Sequence, residues 1–189
     1  MTAIVTTPPA GEPVTLEEAR AQLRLTGEAE DGLLGRLIAA ARAQVEQATR
    51  RALIAQGWRL YLDAWPPGRV VRLPVAPVAS VETVTVYDGG GMPVALDPQA
   101  YRLDGAGEPP RLKVAAGASA GVSGFNGIEI DFTAGYGADA AAVPQPLRHA
   151  VLLLVAHWFE HREGGADPGM LGMPPGVAAL LSSYRTLRL

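Results

Sequence analysis

The chain has 189 residues, of which 48% are hydrophobic and 19% charged, and a formal net charge of −3. This composition is typical of a globular protein and excludes a largely disordered one. The absence of cysteine excludes disulfides, cysteine-ligated metals and a cysteine nucleophile. The slight acidity does not favour nucleic-acid binding, and the sequence shows neither a signal peptide nor an apolar run of the ~20 residues that a membrane span needs. We therefore expect a soluble, intracellular protein.

The first 55 residues are predicted to form two helices. Thr15 and Glu18 have the spacing of a capping box, which predicts a short helix to about Leu25. Asp31 is placed to cap a second helix over residues 32–51. Apolar residues recur there three and four positions apart, at Leu33, Leu34, Leu37, Ile38, Ala41, Val45 and Ala48. Arg50 and Arg51 are expected in its last turn, where the helix dipole favours cations.

Residues 56–143 change to the two-residue period of β-strands. Apolar residues alternate with polar ones at Trp58, Leu60 and Leu62, and again at Ile128, Ile130 and Phe132. Shorter apolar or β-branched segments lie at 70–73, 81–87, 93–96, 101–103 and 111–114. Asp88 followed by Gly89, Gly90 and Gly91 predicts a hairpin turn, since these residues tolerate positive φ. We expect a β-rich module of six or seven short strands.

Residues 144–189 are predicted to be helical again. Pro144 and Pro146 mark a helix start, since proline is tolerated in the first turn. Its apolar stripe comprises Leu147, Val151, Leu154, Val155 and Trp158, and it is expected to end near Arg162. A final short helix carries Val177, Leu180, Leu181 and Tyr184. The sequence thus predicts an α+β fold, in which N-terminal helices (1–55) and C-terminal helices (144–189) form a bundle around an inserted β-rich module (56–143).

One segment of the penultimate helix matches a zinc peptidase pattern. His157, Glu160 and His161 have the H-x-x-E-H spacing, in which two histidines one turn apart bind zinc and the glutamate acts as general base. A third ligand would come from His149 or Asp167. The alternative is that these polar residues occupy the last turn of an otherwise apolar helix, where a histidine suits the dipole.

Three further patterns have simpler explanations. The three glycines from Gly89 to Gly91 lack the lysine and helix start of a phosphate-binding loop, and a hairpin turn is the better interpretation. Ser119 and Ser123 are not in a nucleophile elbow, and they lie in a Gly- and Ser-rich loop. Four carboxylates, Asp63, Asp88, Asp97 and Asp104, fall at strand ends. A catalytic carboxylate pair is conceivable there, but turn chemistry explains each one.

The C-terminal end has an unusual pattern for a terminus, since Leu187 and Leu189 alternate with Arg188. Chain ends are usually polar and frayed. An alternating apolar segment can add as a strand to the sheet edge of a partner, or it can pack on its own bundle. The residues leave both interpretations open.

The order of these segments resembles the phage head–tail connector (adaptor) family of tailed phages and phage-derived gene transfer agents. The matching stretches are residues 13–19 (PVTLEEA), 37–42 (LIAAAR), 51–54 (RALI), 56–60 (QGWRL), 73–74, 77–78, 132–137 (FTAGYG), 143–144 and 152–162. Family members often carry Tyr, Glu and Asn-Arg where this chain has Phe159, Glu160 and His161-Arg162. The resemblance therefore implies that the second histidine of the zinc pattern is incidental.

The resemblance implies a structural role without cofactor, metal or catalytic residues. Such adaptors form rings, usually dodecameric, beneath the portal protein at the capsid vertex. They extend the DNA channel, in which DNA passes without specific binding, and present a surface to the next tail-neck (stopper) protein. The family's C-terminal segment engages the portal; in this chain it comprises Tyr184, Arg185, Thr186, Leu187, Arg188 and Leu189.

The resemblance also implies where the protein acts. It places the protein in the neck of the particle, with assembly in the host cytoplasm, and makes the β-rich module an outer or downward-facing surface. Two alternatives remain open from the residues. One is a zinc-dependent hydrolase using His157, Glu160 and His161, and the other is a binding module whose β-rich insertion holds a protein or carbohydrate.

Overall fold

A computed structural model describes residues 1–118, 124–161 and 173–185. The chain forms two compact units. The β-rich unit comprises Met1–Ala10 and Ala55–Tyr136, and the helical unit comprises Gly11–Ile54 and Gly137–Leu189. The α+β class predicted from the sequence is confirmed.

The β-rich unit contains two antiparallel sheets. The strands are β1 (Thr2–Thr7), β2 (Gln56–Leu62), β3 (Val70–Arg72), β4 (Val78–Tyr87), β5 (Pro93–Ala95), β6 (Tyr101–Asp104), β7 (Arg111–Val114) and β8 (Ile128–Ala134). The larger sheet has the order β1-β2-β8-β4-β5, and the smaller one β3-β7-β6. Short 3-10 turns lie at Pro67–Arg69, Pro98–Ala100 and, in the helical unit, at Ala140–Ala142.

The side chains on one face of the five-stranded sheet form the apolar core of this unit. The alternation predicted in β8 is observed, since Ile128, Ile130 and Phe132 are at most 1% exposed. Their neighbours in register are also buried, at Leu60 and Leu62 in β2 and Val84 and Val86 in β4. Side chains of paired strands share a face, so these residues form one apolar layer.

The N-terminal strand β1 was not predicted. Residues 1–55 were assigned to the helical part, whereas Met1–Ala10 belongs to the β-rich unit because β1 pairs antiparallel with β2. None of the β1 side chains is buried, and both Ile4 and Val5 are exposed. A strand without a buried face has no alternating pattern, which is why the periodicity gave no signal for it.

The helical unit contains α1 (Leu16–Leu23), α2 (Asp31–Thr49), α3 (Gln145–Glu160) and α4 (Pro175–Ser182). Helix α2 packs on the other three helices, and α3 also packs on α1 and α4. The predicted stripes face this core, since Leu34, Ile38, Ala41, Val45, Leu147, Val151, Leu154 and Val155 are at most 2% exposed. The capping box is also confirmed, because Thr15 Oγ1 accepts from the Glu18 N–H and Glu18 Oε2 accepts from the Thr15 N–H.

Predicted helix ends differ from the structure in α1, in α2 and in α4, where Tyr184 was predicted to be helical but lies beyond the last helical residue, Ser182. Helix α1 ends two residues earlier than predicted, because Arg24 adopts the left-handed conformation (φ 56°). The capping role predicted for Asp31 is wrong: Glu30 precedes the helix, and the Asp31 carboxylate instead lies 3.6 Å from Arg20 Nε. Helix α2 ends at Thr49, and Arg50 turns the chain with φ 58°.

The positions predicted for Arg50 and Arg51 in the last turn of α2 are therefore wrong as well. Arg50 is the residue that caps the helix, and Arg51 lies beyond it. Helix α3 ends at Glu160 with His161 as its cap, close to the predicted end at Arg162, which lies outside the described residues.

Candidate functional site

The base of the predicted portal-binding segment is held by a buried arginine. Arg51 is 7% exposed, and its Nε donates to the carbonyl oxygen of Tyr184 at 3.0 Å. Its guanidinium carbon also lies 5.8 Å from the centre of the Tyr184 ring, within the range of a cation–π contact. The backbone and the ring of Tyr184 are thus both held by one side chain, which gives the C-terminal segment a fixed origin.

The buried residues that follow Arg51 keep this contact in place. Directly after Arg51, residues Ala52, Leu53 and Ile54 are at most 1% exposed, and the Leu53 N–H donates to a carboxylate oxygen of Glu46 in α2 at 2.8 Å. A buried segment cannot shift without opening the core, so the position of Arg51 is fixed by the packing that follows it.

Helix α4 and the residues beside it provide the other contacts of Tyr184 and Arg185. Val177 and Leu181 are buried, and the Tyr184 N–H donates to the Leu181 carbonyl oxygen at 3.0 Å. Arg185 is exposed and lies 3.7 Å from the sulfur of Met173. Of the six residues predicted to meet the portal, the structure thus describes Tyr184 and Arg185. Thr186, Leu187, Arg188 and Leu189 lie outside the described residues.

A second arginine joins the N-terminal motif to α3. Arg148 Nε donates to the Pro13 carbonyl oxygen at 2.9 Å, and its Nη2 binds Glu18 Oε1. Glu18 therefore has two roles, since its other oxygen closes the capping box with Thr15. The motif at residues 13–19 therefore has a structural role, since it connects the start of α1 to α3.

A third arginine holds the segment that precedes α1. Arg42 Nε binds Glu12 at 2.8 Å and its Nη1 binds Glu46 at 2.9 Å. Burial alone would lower the pKa of Arg42, but the hydrogen bonds and charges of these two carboxylates outweigh it and raise the pKa. Arg42 thus remains a cation inside the unit. The desolvation of the paired charges offsets much of their attraction, so the pairs are weak evidence for added stability.

The histidine pattern on α3 is explained by the helix end. His161 Nδ1 lies 2.7 Å from the His157 carbonyl oxygen, so the ring caps the last turn of α3. The two imidazole rings are 4.6 Å apart between centres, while Glu160 is exposed. Within residues 1–118, 124–161 and 173–185, no three His, Asp or Glu side chains are grouped to bind a metal. His149 is therefore not brought into such a group, and Asp167 lies outside the described residues.

Each of the four candidate carboxylates accepts a backbone N–H at a turn. Asp63 accepts from Asn126, Asp88 from Gly90 and Met92, Asp97 from Gln99, and Asp104 from Gly107. The side-chain hydrogen bonds of Arg111 hold the pKa of Asp104 below its usual value. Local turn chemistry accounts for Asp88, Asp97 and Asp104, whereas Asp63 accepts from a residue 63 positions away. Asp88 closes the predicted hairpin at Gly89 to Gly91. Ser119 and Ser123 lie outside the described residues.

A polar cluster that the sequence did not predict lies on the outer face of the larger sheet. Arg59 binds both carboxylate oxygens of Asp131, at 2.7 and 3.0 Å, and Thr83 donates to the same carboxylate at 3.0 Å. Glu129 lies 3.3 Å from Arg59. The polar positions of the two alternating strands were the available signal, but only the register that pairs residue 59 with residue 131 brings them together.

This cluster shifts the pKa of both partners. The hydrogen bond to Asp131 is the largest influence on Arg59 and raises its pKa. For Asp131, burial acts to raise the pKa, but the hydrogen bonds from Arg59 and Thr83 outweigh burial and lower it. The arrangement is a charged surface clamp between two strands. None of the described helices is both long and apolar enough to cross a bilayer.

A family model and several solved structures match this chain. The family model of the phage gp6-like head-tail connector protein matches residues 13–88. A chain from the neck of an empty gene transfer agent (GTA) particle, computed with C6 symmetry, is 40% identical, with a TM-score of 0.82; the match covers 100% of this chain and 97% of that one. No curated protein matches.

Two further solved chains match over the same shares of both chains, 100% of this one and 97% of the other. One comes from the virion of a native GTA particle, with 38% identity and a TM-score of 0.81. The other comes from the neck of a native GTA particle computed with C12 symmetry, with 37% identity and a TM-score of 0.79. With such identity over its whole length, the chain belongs to the phage head–tail connector family.

Proposed function

We propose that this protein is a structural adaptor that joins the head to the tail of a tailed phage or gene transfer agent. The observation that carries the proposal is the full-length likeness to chains from GTA necks, at up to 40% identity. In this role twelve copies form a ring under the portal protein, in keeping with the C12 symmetry of one related neck. The ring extends the DNA channel and meets the next neck (stopper) protein on its far side.

The portal contact is assigned to the C-terminal segment, Tyr184 to Leu189. Support comes from the anchor at Arg51, which fixes where the segment begins, and from the alternation of Leu187 and Leu189 with Arg188. An extended segment with one apolar edge suits addition to a sheet or insertion into a groove of a partner. The net charge of −3 suits a channel wall that does not retain DNA by phosphate contacts.

The role is that of a structural component rather than an enzyme. The two histidines and the glutamate of the zinc pattern form the end of α3, where His161 bonds to a backbone carbonyl. The location that follows is the neck of the particle, after assembly in the host cytoplasm. The surface of the β-rich unit, including the hairpin at Gly89, is assigned to the outer or tail-facing side of the ring.

Solution mass by light scattering, with and without the cognate portal ring, tests this function. We expect the protein to join the portal with a mass increase of about twelve copies, whether or not it is monomeric alone. Deletion of residues 185–189 should leave a folded protein that no longer joins. Leu187→Ser with Leu189→Ser should have the same effect, whereas the control Ser183→Ala, at an exposed position just outside the segment, should not.

One result would contradict the adaptor role, and another would contradict only the assigned portal contact. A protein that does not join the portal and binds zinc stoichiometrically would support the hydrolase alternative instead. Continued joining by the truncated chain would remove the C-terminal segment from the portal contact, while leaving the adaptor role in place.

A further inference from the structure

The two edges of the five-stranded sheet expose most of the large apolar side chains that are exposed in the described residues. Met1, Ile4 and Val5 lie in or beside β1 at one edge, and Met92 and Val94 lie in or beside β5 at the other. Their exposed fractions run from 43% for Ile4 to 71% for Met1. Scattered apolar residues need no explanation, but two patches on opposite edges of one sheet do.

Val5 and Val94 also lie on the same face of the sheet. Val5 is in register with Trp58 and Phe132, and Val94 is in register with Val86 and Ile128. Phe132 and Ile128 are four residues apart in β8 and point into the core. The apolar layer of the core therefore continues past both edges into solvent.

No strand of the described residues pairs with the outer edge of β1, so its outward-pointing backbone groups have no partner strand there. The Tyr87 N–H donates to the Gly127 carbonyl oxygen at 2.9 Å. The backbone of residue 127 therefore bonds toward β4, and so do alternate residues after it in β8. Along a strand, the N–H and C=O groups of successive residues point to opposite sides. The observed registers then show, strand by strand from β8 through β2 to β1, which residues bond to which neighbour. By this alternation Ile4 bonds to β2, whereas the N–H and C=O groups of Ala3 and Val5 point away from the sheet.

This edge lacks the usual protection against pairing. Exposed edges normally carry charged residues, proline or a covering segment. Residues 1–11 contain no charged side chain, β1 contains no proline, and among the described residues no strand pairs with its outer edge. The β5 edge is shorter, with three residues beginning at Pro93, where proline is permitted as the first residue of an edge strand.

We propose that neighbouring copies of this protein contact each other through these two edges, with β1 of one copy against β5 of the next. This inference rests on the proposed ring. A cyclic ring needs a heterologous contact, in which one patch meets a different patch of the next copy. The two edges supply such a pair, and the match between Val5 and Val94 carries the apolar layer from one copy into the next.

Strand direction is consistent with this arrangement. All neighbours in the sheet are antiparallel, so β1 and β5, separated by three strands, run in the same direction. Rotation about an axis roughly along the strands therefore brings β1 beside the neighbour's β5 as a parallel pair. Within one copy the two strands are four strand spacings apart, about 19 Å, so they cannot contact each other.

Cysteine crosslinking tests the proposal directly, because the chain has no native cysteine. The double variant Val5→Cys/Val94→Cys is assembled on the portal ring, oxidised and separated under non-reducing conditions. A disulfide needs Cα atoms about 4.4–6.8 Å apart, so a bond between these positions joins two copies. We expect a ladder extending beyond dimers. Each single variant, as the matched control, should give dimers at most.

A second cysteine pair and a backbone variant keep the proposal testable if the first double variant does not fold or does not crosslink. Ala3→Cys with Val94→Cys covers a shift of two residues in register on the same face. Ala3→Pro removes an N–H that points away from the sheet, so the monomer should keep its unfolding temperature while the ring is lost. Ala3→Ser, which keeps the N–H, should assemble normally.

The outcomes separate this proposal from the adaptor role. Rings that form on the portal without a ladder from either cysteine pair, or that form normally with Ala3→Pro, overturn the edge contact and leave the adaptor role standing. Crosslinks from β1 to a different neck protein also overturn it. A protein that does not join the portal at all contradicts the adaptor role, and the edge contact is then rejected with it.

Discussion

Arg51 and Tyr184 are 133 residues apart in the sequence, yet the side chain of the first holds the backbone of the second at 3.0 Å. The contact joins the residue just beyond α2 to the turn that follows α4. Its main consequence is that Tyr184, the first residue of the proposed portal segment, is held in place. A binding segment whose first residue is already fixed loses less conformational freedom when it binds a partner.

Arg51→Ala should destabilise the helical unit. Hydrogen bonds to charged groups contribute about 1.5–3 kcal/mol, and the substitution also leaves the Tyr184 carbonyl without this donor. The free energy of unfolding from denaturant titration measures the loss. Tyr184→Phe is the matched control, because it keeps both the carbonyl and the ring face. A loss below ~0.5 kcal/mol for Arg51→Ala, equal to that of the control, would contradict the anchoring role.

Leu154→Ala should be among the most costly substitutions in α3. Leu154 is 1% exposed, and truncating a buried leucine costs about 2–5 kcal/mol through lost burial and the cavity left behind. Chemical denaturation of both variants measures the change. Glu160→Ala, on an exposed position of the same helix, should stay within ~0.5 kcal/mol of the parent. A change below ~1 kcal/mol at Leu154 would place it outside the core.

The sequence predicted those elements that bury one face. Ile128, Ile130 and Phe132 alternate because the odd positions between them lie on the outer face, and the stripe on α3 repeats for the same reason at helical spacing. Strand β1 lacks a buried face, so its sequence carried no period. Helix ends were less predictable, because Arg24 and Arg50 adopt positive φ without being glycine.

The candidate sites divide in the same way. The turn roles of Asp88 and Asp97 follow from local hydrogen bonds within four residues, and such roles are visible in a sequence. The anchor between Arg51 and Tyr184 is not, because its acceptor is a backbone carbonyl that any residue possesses. The clamp between Arg59 and Asp131 depends on strand register, which becomes known only when β2 and β8 are paired.

His161→Asn should be nearly neutral for both stability and assembly. The imidazole of His161 bonds to the His157 carbonyl at the exposed end of α3, and an asparagine amide can donate to the same oxygen. We expect unfolding free energies within ~0.5 kcal/mol and unchanged joining to the portal ring. Elemental analysis of both proteins provides the metal content. Loss of assembly together with loss of a bound metal would contradict this explanation of the histidines.

The stability of the β-rich unit should depend on pH through Asp131. Its pKa is lowered in the folded protein, where Arg59 and Thr83 donate to the carboxylate. The contribution is therefore fully present above the unfolded pKa of about 3.9 and is lost as pH falls through the lower folded value. Denaturant unfolding of the parent and of Asp131→Asn, from neutral to acidic pH, should show a difference in unfolding free energy that shrinks as pH falls.

Arg59→Gln is the matched variant for this experiment, because it removes the cation and keeps the carboxylate. Without Arg59 the folded pKa of Asp131 should move up toward its unfolded value, so the pH dependence attributable to Asp131 should decrease. In the double variant with Asp131→Asn, the second substitution should add less than it does in the parent, since the two side chains act as one pair. If the difference between the parent and Asp131→Asn is constant over the whole pH range, the carboxylate is not held by Arg59 in solution.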